Sequence, residues 1–176
     1  MPDNAIVVEN ARTDGVMPKS YWDAAHSRQI EGFATDMSVN AGDQVDFKIN
    51  VNGDAGSDYQ VEIFRLGYYG GNGARKVAEW VNTDAVVQPD AEYDATRALV
   101  DAGNWSVTDS WDTPADAVSG VYLARIQRLD ASGNPIDGAA NQIPFIVRED
   151  DRDADVVLQT SDTTWHAYNG WFGNNG

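Results

Sequence analysis

The sequence predicts an all-β fold, an antiparallel Ig-like β-sandwich spanning residues 30–148. Three observations carry that expectation. Seven or eight short segments in this span are strand-like by alternation or by β-branched and aromatic content, and no long helical period interrupts them. Turn signals rich in Gly, Asn, Asp and Pro separate them at short intervals. The run DAVSGVYLARIQRL sets Asp116, Gly120 and Tyr122 in the arrangement of a tyrosine corner, in which a tyrosine entering a late strand of an Ig-like sandwich bonds back to the upstream backbone.

Residues 1–29 read as an N-terminal extension. Ala5-Ile6-Val7-Val8 suggests a short strand, and Ser20 to Ala25 one helical turn. Tyr21 and Trp22 are amphipathic aromatics that need cover, so the extension is expected to lie on the sandwich. His26 has no companion and reads as a surface or capping residue.

Ile30–Thr35 and Met37–Val39 are expected to pair as short edge strands, followed by a turn at Asn40-Ala41-Gly42-Asp43. Gln44 to Asn52 alternates cleanly, with Val45, Phe47, Ile49 and Val51 on one face and Asp46, Lys48 and Asn50 on the other. The next strand runs from Tyr59 into the string YQVEIFRLGYYGGNGAR. Val61 and Ile63, with Phe64 and Leu66, are set against Gln60, Glu62 and Arg65. Four glycines in the seven residues Gly67 to Gly73 then allow left-handed backbone or close approach. Tyr68 and Tyr69 exceed what a turn requires. They are either folded over the core edge or exposed as a contact surface for a ligand or neighbouring domain.

Val77–Trp80 reads as a strand, and residues 81–103 as a long connection holding one or two short strands. Asn104–Trp111 is expected to be a single strand with Trp105 and Trp111 on one face. Val121, Leu123 and Ile126 share a strand with Tyr122. Ser132-Gly133-Asn134-Pro135 is a hairpin turn, and Gln142–Val147 closes the sheet, with Pro144 tolerable near an edge. The expected core is Val45, Phe47, Ile49, Val61, Ile63, Tyr122, Leu123 and Ile143.

Residues 149–176 form a third region. Arg148 to Asp153 is a charged boundary that reads as a solvated linker. Asp155-Val156-Val157-Leu158-Gln159-Thr160 then opens like a buried strand. Such a strand needs neighbours. It is expected to pair with the sandwich, to be given to another subunit, or to belong to a fragment of a longer protein.

The charge limits the partners. The net charge is −16, 22 of the 28 acidic residues are aspartates, and only Lys19, Lys48 and Lys76 are lysines. Such a field disfavours nucleic acid and anionic membrane surfaces, and suits high-salt or calcium-containing surroundings. No apolar run reaches transmembrane length. With no cysteine, a disulfide framework or thiolate metal site is excluded. The N-terminus shows neither the basic nor the apolar region of a Sec signal. Asp54 and Asp58 sit in a loop lacking the glutamate of an EF-hand, so calcium is not expected there.

IFRLGYYGGNGARKV, preceded by IEGFATDMSVNAGDQVDFKINV and followed by SGVYLARI, resembles the N-terminal region of proteins similar to the N,N-dimethylformamidase β subunit. With SDTTWHAYNGW near the C-terminus, the resemblance runs from about Ile30 to Asn169. It implies an extracellular protein, since secreted members carry RTX-type repeats and are exported without a Sec signal. It implies as partners a downstream domain of the same protein or neighbouring subunits. It also implies a first strand of a following α/β domain at residues 155–160. Family catalysts hold iron through tyrosine and carboxylate ligands, and Tyr168 is the position matching the family's Tyr-Asn string. The residue-level reading of Tyr168 is a packing residue at a domain junction, together with Trp165.

No G-x-S-x-G, H-E-x-x-H, P-loop or G-x-G-x-x-G occurs. The expected function is therefore a non-catalytic Ig-like module of a secreted multidomain protein, with no cofactor in this chain. Two alternatives stand: the front piece of an iron-dependent amidohydrolase acting on small amides, and a self-assembling extracellular subunit that uses strand addition.

Overall fold

The computed structural model describes residues 4–23, 25–53, 57–154 and 156–167. The chain divides into two compact units, 1–89 with 105–150, and 90–104 with 151–176.

The first unit is the expected sandwich. Its larger sheet has six strands: β1 (Val16–Met17), β6 (Ala74–Asn82), β5 (Tyr59–Leu66), β10 (Gly120–Leu129), β11 (Pro135–Arg148) and β3 (Ser38–Asn40), in that spatial order. All neighbours are antiparallel except β3, which lies parallel to the end of β11. The smaller sheet has the order β2 (Ile30–Ala34), β4 (Gln44–Val51), β9 (Asp109–Asp112). Thus Ile30–Thr35 and Met37–Val39 do not pair with each other as expected. They part to opposite sheets, β2 against β4 and β3 against β11.

Alternation explains the core. Val45, Phe47, Ile49 and Val51 from the smaller sheet meet Val61, Ile63, Tyr122, Ala124, Ile126, Ile143 and Phe145 from the larger, all buried in one cluster. Burying each large side chain contributes about 1.5–3 kcal/mol before ordering costs. Leu123 is buried too, but on the other face. With Trp22, Phe64 and Ala74 it forms a second cluster behind the larger sheet. The register requires this, because Leu123 pairs with Phe64, while Ala124 pairs with Ile63.

The same register corrects the reading of β5. Its pleat is unbroken, and the irregularity falls in β6, opposite the Ile63/Phe64 step. Phe64 therefore shares a face with Glu62, and Arg65 follows Val61 and Ile63 inward. Trp105 and Trp111 also part company. Trp105 lies before β9, stacks on Phe33 at 5.7 Å between ring centroids, and donates to the Pro89 carbonyl at 2.9 Å. Trp111 lies within β9 against Tyr122 and Phe145.

The extension covers the larger sheet, as expected, but its first element is a helix. Residues Ala5–Asn10 form α1, capped by the Asn4 side chain accepting from Ile6 N at 2.9 Å. The β-branched run is overridden because the helix delivers Glu9 into the sandwich, leaving Val7 and Val8 exposed. A helical turn, α2 (Lys19–Trp22), presents Trp22 to the second cluster. Tyr21 sits over it, its hydroxyl 2.9 Å from both oxygens of Glu62.

The second unit holds a hairpin, β7 (Glu92–Asp94) with β8 (Leu99–Asp101), and a short helix, α3 (Asp162–Ala167). The hairpin meets the expectation of short strands in the long connection. The strand expected over 155–160 is not formed in its described part. Residues 156–160 have no regular structure, and Val156, Val157 and Leu158 are 83%, 86% and 82% exposed. An apolar run takes strand form only where a hydrogen-bonding neighbour exists.

Candidate functional site

Arg65 and Arg75 face each other across β5 and β6, on the inner side at the open end of the sandwich. Charges placed there must be matched. Arg65 donates to the carbonyls of Val118 (3.2 Å) and Ser119 (2.9 Å) and to the Tyr69 hydroxyl (3.0 Å). Val118 also accepts from Tyr122 at 2.8 Å, which completes the expected tyrosine corner. Burial pushes the Tyr122 phenol up to about 12.

Glu9 supplies the counter-charge. It accepts from Arg75 Nε at 2.7 Å and from the Tyr69 hydroxyl at 2.8 Å. Burial would raise its carboxyl, but the bonds from Arg75 and Tyr69 and the nearby Arg65 charge outweigh it, so Glu9 lies below the usual carboxylate range. Burial, with the bond to Glu9, raises Tyr69, against the opposing effect of Arg65.

Beside this network lies a cleft of about 400 Å³. Its apolar side comprises Trp111, Tyr122, Val77, Pro114, Ala117 and Val118, and its polar side Glu9, Arg12, Asp14, Arg75, Lys76 and Asp116. Arg12 holds Asp14 through two bonds of 2.9 and 2.6 Å. Arg75 reaches Asp14 through Nη1 at 3.4 Å. Lys76 is committed to Glu62 at 3.2 Å and Glu79 at 2.6 Å.

The residues singled out from sequence fall differently. Tyr68 is 70% exposed. Tyr69 is buried and belongs to the Glu9–Arg65 network, held at φ +40° in a glycine-rich 3-10 turn (Tyr69–Gly71). The pair thus divides, with Tyr68 exposed and Tyr69 buried. Trp165 lies in α3. Tyr168 and Asp54 lie outside the described residues. The cleft was not foreseen, although one signal was present: two-residue spacing continues the inward face from Val61 and Ile63 to Arg65.

A family model described as N,N-dimethylformamidase beta subunit-like, C-terminal, matches residues 60–176. The chain belongs to that family. The match to the dimethylformamidase β-subunit-like family begins within β5 and takes in Arg65, Arg75, Trp111, Asp116 and Tyr122, while Glu9, Arg12 and Asp14 precede it. That model describes a C-terminal region, where the resemblance implies an N-terminal one. The chain matches no curated protein.

Iron on tyrosine and carboxylate ligands, which the family resemblance implies, does not fit the described residues. No three His, Asp or Glu side chains converge among them. The described tyrosines near carboxylates are already engaged: Tyr21 with Glu62, Tyr69 with Glu9, and Tyr59 with Asp109.

Proposed function

We propose that this dimethylformamidase β-subunit-like chain acts as a non-catalytic Ig-like module of a secreted multidomain protein, contacting a downstream domain or neighbouring subunit. One observation carries the reading: the carboxylates buried in the sandwich unit are spent inside the fold. Glu9 is bound by Arg75 and Tyr69. Glu62 takes Tyr21, Lys76 and, at 3.0 Å, Arg125. Asp109 accepts from Trp80 at 2.7 Å, from Asn82 at 3.2 Å and from Tyr59. A general base or metal ligand needs a free lone pair facing substrate, and these carboxylates instead join the extension and the two sheets.

The second reading, a piece of an iron-dependent amidohydrolase, draws on the family match through residue 176. A single assay separates the two. The purified chain, with and without added iron, is incubated with N,N-dimethylformamide, and released dimethylamine is measured. No turnover is expected. Iron-dependent turnover abolished by Tyr168→Phe would establish the second reading.

A further inference from the structure

Three polar groups on the cleft lining remain unspent after the internal bonds are assigned. Arg75, whose side chain is only 10% exposed, uses Nε on Glu9 and Nη1 on Asp14, leaving Nη2 without an acceptor among the described residues. Trp111 is 9% exposed and its indole N–H donates to nothing among the described residues. Asp116 is exposed, and its carboxylate receives no hydrogen bond or ion pair among the described residues. The three residues that carry these groups line a single concavity whose remaining wall includes Val77, Pro114 and Ala117. A pocket of this size with an apolar wall and a few polar groups has the make-up of a small-molecule site.

The charges select the ligand class. Arg12 and Arg75 are balanced by Asp14 and Glu9, and Lys76 is held by Glu62 and Glu79. Asp116 has no cation and the adjacent Arg65 no carboxylate of its own among the described residues, so charges of both signs remain, while a simple anion is opposed by the field of a chain of net charge −16. A simple cation would pair with Asp116 but make no use of the Arg75 and Trp111 donors, which are open to solvent. We propose that the cleft binds a small zwitterion, a free α-amino acid with an apolar side chain. Its carboxylate accepts from Arg75 Nη2 and Trp111 Nε1, its ammonium pairs with Asp116, and its side chain lies on the apolar wall. The inference is independent of whether the family domain is catalytic.

The test is calorimetric titration of the whole chain with L-leucine, beside 4-methylpentanoate, which lacks the ammonium, and 3-methylbutylamine, which lacks the carboxylate. All three are measured at one fixed salt concentration. Saturable heat is expected from L-leucine and much weaker binding from either half-analogue. Asp116→Asn, at an exposed position with no internal bond to lose, should weaken L-leucine several-fold. Asp116→Lys should turn the preference toward 4-methylpentanoate. Absence of saturable L-leucine binding would overturn the proposal, as would L-leucine binding that both Asp116 variants leave unchanged, or a half-analogue binding as tightly as L-leucine.

Discussion

Tyr122 shows how much one hydroxyl contributes at the end of this sandwich. Its ring is core and its oxygen fastens the Val118 carbonyl. Tyr122→Phe keeps the ring, so the loss should be that of one hydrogen bond, on the order of 1 kcal/mol in urea unfolding. An unchanged midpoint would remove the corner as a stabilising device. Glu9 gives a residue-level pH dependence. Its folded pKa is depressed, so its contribution is present above the unfolded carboxylate value and is lost as pH falls through the folded one. Glu9→Gln should cost about 1–3 kcal/mol at pH 7, and the gap from wild type should close as pH drops below about 4. A gap that stays constant with pH would show that Glu9 acts through packing alone. The tyrosine corner was legible in the sequence because a local string encodes it. Glu9 was not, because its partners Tyr69 and Arg75 lie 60 and 66 residues away in the chain, and no local period announces them.

At the scale of elements, the strand with clean alternation, β4, stands where the sequence puts it, because a half-buried face imposes period two directly. Elements set by long-range partners were less legible. The extension's Ile-Val-Val run becomes α1 because Glu9 must reach Arg75. Residues 156–160 lack the neighbour that would make them a strand. α2 is held by a contact that a single methyl can test. Gly73 has φ +87°, and a Cβ there would lie 2.7 Å from Trp22 Cζ2, a ring atom fixed further by the Trp22 indole N–H donating to the Asn72 carbonyl at 2.9 Å. Gly70 has φ +65° but open space around it. Gly70→Ala should therefore cost only the left-handed backbone penalty, roughly 1–2 kcal/mol. Gly73→Ala should add an overpacking cost of about 1–3 kcal/mol, because Trp22 must be displaced. Equal denaturation midpoints for the two variants would mean that Trp22 is not packed against this turn.

For the whole molecule, the sign of the salt response follows from where the charges sit. The strong pairs, Glu9 with Arg75 and Glu62 with Lys76 and Arg125, involve buried carboxylates and are little screened by added ions. The pairs that salt weakens, such as Arg12–Asp14, Lys19–Asp23 and Arg148–Asp150, are exposed and contribute little. Against them stands the mutual repulsion of a surface with net charge −16, which folding concentrates. At 1 M sodium chloride the Debye length is roughly 3 Å, short enough to remove most of that repulsion while leaving the buried pairs in place. The melting temperature should therefore rise with monovalent salt. Millimolar calcium at matched ionic strength should add little, since no cluster of three carboxylate or imidazole groups is assembled among the described residues. A rise specific to calcium would locate an oxygen cage in an aspartate-rich loop such as Asp54 with Asp58. A melting temperature that falls with salt would mean that the exposed pairs outweigh the net charge, reversing the order of magnitudes on which this prediction rests.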